Sequence, residues 1–147
     1  MSRRMARETA LRTLFQQEFQ DLPWQEAFQN SLEEAEGMTE KNIAFSKEIV
    51  EGVNLRRLDL DSALDEFAVD WRIERVARLE KTVLRMALFE LMFMEDVPRG
   101  VSVNEAIELV KTFSTEEAAK FVNGILGNVI KHMNFLPEKV KKDEDSK

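Results

Sequence analysis

The residues of this chain with the most capacity for chemistry are four arginines near its start and a short polar run near its end. Arg3, Arg4, Arg7 and Arg12 stand among residues 1–13 against one acid, Glu8, a local charge of +3. Guanidinium groups are planar, permanently charged and multi-donor, which suits phosphates and unpaired bases. On helical spacing Arg3 and Arg7 share a face and Arg4 is offset by about 100°. The plain alternative is a solvated first turn, although arginine at a helix N-terminus opposes the helix dipole. Near the other end, Lys120-Phe121-Val122-Asn123-Gly124-Ile125-Leu126-Gly127 places Lys120 and Asn123 three apart, and so on one face. That pair suits a phosphate and a base or backbone group. Phe121 reads either as a core residue, which periodicity favours, or as a stacking platform for an unpaired base. Gly124 and Gly127 each weaken a helix, and the expectation is that they permit close backbone approach.

What the chain lacks excludes most catalysis. It has no Cys, hence no disulfide, thiolate metal site or Cys nucleophile. Its one His, His132, follows Lys131 at the end of a helical pattern and reads as a cation favoured by the dipole. Glu33, Glu34 and Glu36, like Asp59, Asp61 and Asp65, read as solvated carboxylate faces. Neither set has a calcium-loop glycine or a histidine partner. No phosphate-binding glycine loop, dinucleotide fingerprint or nucleophile elbow occurs. No catalytic residue, metal or cofactor is therefore expected. The 147 residues hold 21 Lys and Arg against 28 Asp and Glu, a formal net charge of −7. Taken as a total, that argues against a nucleic-acid partner. Split by position it becomes +3 over residues 1–13 and −10 over the rest, a small basic contact on an acidic body suited to a basic partner.

The elements that must position these residues read as helices throughout. Ala10, Leu11, Leu14, Phe15 and Phe19 make one stripe over about 3–20, with Ser2 as the expected N-cap. Asp21 is expected to cap a second helix with Pro23 in its first turn, ended by Gly37. After Thr39 one longer helical pattern carries Ile43, Phe45, Ile49, Val50, Val53, Leu60, Leu64 and Phe67. Asp70-Trp71-Arg72 reads as a connection or a short turn of helix. The pattern over about 75–94 is apolar around most of its circumference, predicting a central buried helix. Ser102 to Glu105 reads as a capping box for the next helix, and Ser114 to Glu117 as one for the last. The expected fold class is all-α: two three-helix bundles sharing a core. Residues 1–136 form one domain, with an N-terminal bundle over about 3–69 and a C-terminal bundle over about 72–135. Residues 137–147 read as a flexible charged tail. No apolar run is long enough to span a bilayer and no secretory leader is evident, so a cytoplasmic protein is expected.

Taken in order, these segments resemble the NusB family of bacterial transcription antitermination factors. The resemblance covers about Arg3 to Met133. It rests on Arg3-Arg4-Met5-Ala6-Arg7-Glu8-Thr9-Ala10-Leu11, on Leu14-Phe15-Gln16 and on Leu79-Glu80-Lys81-Thr82-Val83-Leu84-Arg85-Met86-Ala87-Leu88-Phe89-Glu90-Leu91. It continues through Val103-Asn104-Glu105-Ala106-Ile107-Glu108-Leu109-Val110-Lys111 and ends with Lys120-Phe121-Val122-Asn123-Gly124-Ile125-Leu126. The resemblance implies a NusB-like fold without enzymatic activity. It implies a pairing with NusE, a small-subunit ribosomal protein, and binding of single-stranded boxA RNA in nascent transcripts. The assembly then joins RNA polymerase and favours processive transcription of ribosomal RNA operons. The family's RNA-binding positions fall on Arg3, Arg4, Arg7, Phe15, Glu117, Lys120, Phe121 and Asn123. Its partner-binding acidic positions fall on Glu80 and, on the same surface, Glu74. Three positions depart from the family pattern: Phe15 where Tyr is frequent, Glu117 where Asp or Asn is common, and Gly127 where Asp is frequent. A carboxylate at 117 tunes RNA binding rather than building it.

Two other readings compete. One is a non-enzymatic helical scaffold that binds protein alone. The other is an RNA-binding module of the kind found at the N-terminus of some RNA methyltransferases. The absence of a catalytic domain or glycine-rich cofactor loop favours a free-standing factor. Self-association into a homodimer is a further option that the sequence leaves open.

Overall fold

A computed structural model describes residues 3–67 and 76–132. Ser2, the 70–72 connection, Glu74 and the tail from 137 lie outside the described residues. Among the described residues every regular element is a helix, as expected from the periodicity. They are α1 (Arg3–Phe19), α2 (Trp24–Glu34), α3 (Glu40–Leu55), α4 (Arg57–Phe67), α5 (Arg78–Phe93), α6 (Arg99–Phe113) and α7 (Glu116–His132). None of them is long and apolar enough to cross a membrane. The chain divides into two compact units, Met1–Arg57 and Leu58–Lys147.

In the first unit α1 packs against both α2 and α3. Its buried face carries Ala6, Ala10, Leu11 and Leu14, and the core is completed by Ala27 and Phe28 of α2 and Phe45, Ile49, Val50 and Val53 of α3. Thr9 and Thr13 are buried with them. Each donates its hydroxyl to the carbonyl four residues back, Met5 O and Thr9 O, at 2.9 Å, so neither hydroxyl is stranded in the core. Gln17 and Asn54 exchange amide hydrogen bonds at 2.9 and 3.0 Å, tying α1 to α3. The α2 start differs from expectation. Pro23 is itself the N-cap residue, with no side-chain cap, because its fixed φ leads the chain into the helix without Asp21. After α2 the chain reverses through Gly37 at φ 80°, a conformation only glycine adopts without strain. Thr39 then caps α3, its hydroxyl accepting the Asn42 N–H at 3.2 Å.

The long helical pattern after Thr39 is two helices, not one. Arg56 leaves helical geometry at φ −112°, ψ 19°, separating α3 from α4. The periodicity hides this break. On an unbroken helix Ile49, Val53, Leu60 and Leu64 would fall within about 60° of one another, so the apolar stripe continues in phase across it. Periodicity groups 58–67 with the first bundle, whereas packing groups it with the second unit.

In the second unit α5 is buried at every position from Thr82 to Leu91. The α6 and α7 helices pack on it and on each other. Burying α5 on all sides means burying its polar residues: Thr82 donates to the Arg78 carbonyl of α5 itself at 2.7 Å, while Arg85 and Glu90 have partners on other helices. Arg85 donates to both carboxylate oxygens of Asp61 on α4, at 2.6 and 2.9 Å. The Ser102 hydroxyl donates to Glu90 Oε1 at 2.9 Å. That bond corrects the expected capping box: α6 begins at Arg99 after Pro98, so Ser102 lies inside the helix and serves α5 instead. Asn128 on α7 donates to the Phe67 carbonyl at 2.8 Å.

Candidate nucleic-acid interface

The candidate residues fall into one group in each unit. In the first unit, α1 has no acidic residue in its first turn, so its N-terminus combines arginine charge with the positive end of the dipole. Arg3 and Arg4 are exposed. Arg7 is not: it is 3% exposed, with its guanidinium carbon 5.0 Å from the centre of the Phe45 ring. The Arg3 guanidinium lies 4.1 Å from the same ring. Both distances fall within the roughly 6 Å over which a cation is attracted to an aromatic face.

Phe15 lies near Arg4 around α1, about 20° away, and about 16 Å further along the axis. It is half-buried and meets Phe19 edge-on, with ring centres 4.9 Å apart. Phe15 also lines a groove of about 560 Å³ with Arg12 and Gln16 of α1 and Asn30, Ser31, Glu33 and Glu34 of α2. The groove offers an aromatic edge, two amides and charges of both signs, a mixture suited to a heterocyclic base.

In the second unit the candidates lie on α7. Glu117, Lys120 and Asn123 are exposed, and Phe121 is half-buried. The helical arc explains both. The buried residues Ala119, Val122, Ile125, Leu126 and Val129 span about 120° of α7; Glu117 and Lys120 fall on the opposite side, and Asn123 lies beside the buried arc, about 40° from Ala119. Phe121 sits at the border, about 40° from Ile125, and so is neither core alone nor a free platform. Gly124 and Gly127 lie on the exposed arc, where an added Cβ would meet nothing within 4 Å. Among the described residues, the expected close backbone approach is therefore not made.

The start of α7 is well fixed. The Thr115 hydroxyl accepts the Ala118 N–H at 3.0 Å, so Thr115 rather than Ser114 is the cap. Ser114 ends α6 and donates to Glu80 Oε1 on α5 at 2.6 Å. Glu80 is 5% exposed, and among the described residues its other oxygen has no hydrogen-bond partner. Among the described residues no three His, Cys, Asp or Glu side chains are placed to hold a metal. Sequence reasoning did not single out Phe45 or the groove. Phe45 reads as one more member of an apolar stripe, and which cations meet it depends on how α1 lies on α3.

A family model, described as the NusB family, matches residues 4–131. The chain belongs to the NusB family. The transcription antitermination protein NusB of Desulforudis audaxviator is 41% identical over 94% of this chain and all of its own length. That of Bacillus subtilis is 41% identical over 88% of this chain and 95% of its own. Among solved structures, a T. maritima NusB matches with a TM-score of 0.86 at 30% identity, over 96% of this chain and 98% of that one. A NusB chain from a crystal structure of NusB and NusE in complex with dsRNA matches with a TM-score of 0.81 at 27% identity, over 88% and 96%. The matched span includes every candidate from Arg4 to Asn123, leaving Arg3 just outside it.

Proposed function

We propose that this NusB-family chain is a transcription antitermination factor without catalytic activity. In this reading it pairs with NusE, binds boxA RNA in nascent transcripts and joins the RNA polymerase antitermination complex, promoting processive transcription of ribosomal RNA operons. The observation that carries the reading is the likeness to a NusB solved with NusE and RNA. The exposed arginines of α1 and the polar face of α7 supply chemistry that fits it.

Each candidate has a part. Arg3 and Arg4 neutralise phosphates, and Arg7, buried beneath them, supports the arm. Phe15 and Phe121 offer aromatic surface to unpaired bases. Lys120 and Asn123 contact a phosphate and a base or backbone edge, while Glu117 lowers affinity for off-register backbone by repulsion. Glu80 and Glu74 serve the protein partner. At 5% exposure Glu80 meets a partner directly only if the corner at Ser114 opens; otherwise it contributes by holding that corner.

The test is a titration of single-stranded boxA, duplexed boxA and scrambled RNA with the full chain, with and without NusE. Preferential binding of boxA, strengthened by NusE, is expected, since two ligands that favour one state strengthen each other. Equal affinity for boxA and scrambled RNA in both conditions refutes the RNA reading. Salt-sensitive NusE binding without any RNA affinity points instead to a protein-binding scaffold.

A further inference from the structure

Phe45 is a buried residue of α3, 6% exposed. Two guanidiniums of α1 nevertheless converge on its ring, Arg3 at 4.1 Å and Arg7 at 5.0 Å from the ring centre. Arg3 and Arg7 are one helical turn apart. Bringing both to one ring gathers two like charges at the helix end where the dipole is already positive, with no acid in that turn to offset them. The negative face of an aromatic ring is a compensating partner that does not neutralise the charge. For the exposed Arg3, contact with the ring through the guanidinium carbon leaves its N–H donors directed away from the ring, where they can meet a phosphate.

We propose that Phe45 is a positioning residue for RNA binding, holding the arginine arm in a binding-competent arrangement before RNA arrives. Arginine otherwise loses much rotamer freedom when it binds, and a side chain already held against a ring has less to lose. Arg7, buried, forms the inner part of the stack, and Arg3, exposed, is the part that meets the backbone. The inference rests on the RNA-binding role of Arg3.

The experiment is a double-mutant cycle on the full chain with NusE and boxA RNA, using Phe45→Leu, Arg3→Ala and their combination. Phe45→Leu is expected to weaken RNA binding about two- to fivefold when Arg3 is present. With Arg3 already Ala, it is expected to weaken binding by no more than about 1.5-fold. Equal losses in the two backgrounds would show a general effect of core damage and overturn the proposal. No loss in either background overturns it too. An independent readout needs no variant: in the free protein the Arg3 side-chain protons should be shifted upfield in NMR by the ring current of Phe45. Random-coil shifts there refute the stack even if Phe45→Leu fails to fold. If Arg3→Ala leaves RNA binding unchanged, the RNA role of the arm fails and this inference with it. If Arg3→Ala weakens binding and Phe45→Leu does not, the inference alone falls.

Discussion

The exposure of the α1 arginines sets how RNA affinity should respond to salt. Arg3 and Arg4 are exposed, whereas Arg7 is 3% exposed. Each phosphate neutralised on a single strand contributes about 0.7 to the slope of log K against log salt. Replacing Arg3 and Arg4 together by Ala should therefore flatten the slope by about 1.4. Between 50 and 200 mM salt, a fourfold change, the unaltered chain should lose about sevenfold more affinity than the double variant. Arg7→Ala should behave differently. It removes a buried support, so it should lower affinity at every salt concentration while leaving the slope parallel to that of the unaltered chain. The assay is fluorescence anisotropy of labelled boxA RNA with the NusE complex over a salt series. Parallel lines for the Arg3/Arg4 double variant would refute their assignment as phosphate contacts. A flattened line for Arg7→Ala would show that burial does not keep it from the backbone.

Further predictions concern stability and are read by urea or thermal unfolding. Gly124→Ala and Gly127→Ala should each stabilise the chain by about 1 kcal/mol, because among the described residues a Cβ there meets no packing neighbour within 4 Å and helix propensity decides; destabilisation would indicate crowding at that face. Asp61→Ala should cost about 2 kcal/mol by removing both hydrogen bonds to the buried Arg85 guanidinium, and a change under about 0.5 kcal/mol would show the pair to be inconsequential. Ser114→Ala should cost about 1–3 kcal/mol, since it takes the hydroxyl partner from a carboxylate already short of one. The same variant should speed amide exchange at the start of α7, and unchanged exchange there would argue against Ser114 as the anchor of that corner.

Some features were legible because they are local. The α7 stripe is one: its apolar residues recur at helical spacing, and the structure buries that face and exposes the polar one. The end of the second helix at Gly37 is another, since it depends on the conformational preference of a single residue. The capping box at Ser102 failed for an instructive reason. Its pattern is right, but Pro98 starts the helix earlier and the hydroxyl goes to Glu90 twelve residues away. The break at Arg56 escaped because the apolar phase runs through it undisturbed.

The sequence by itself determined the all-α class, the family and the identity of the charged and aromatic residues at both candidate faces. These follow from periodicity, composition and ordered motifs, all properties of the chain read in one dimension. Only the tertiary structure decided which of those residues are available. It exposed Arg3 and Arg4 while burying Arg7, set Phe121 at a border, and enclosed Glu80 against Ser114. It also brought Phe45 to two arginines about forty residues away in the chain. Side-chain accessibility and cation–ring contacts depend on how helices lie on one another, and that arrangement is settled by the summed packing of many residues.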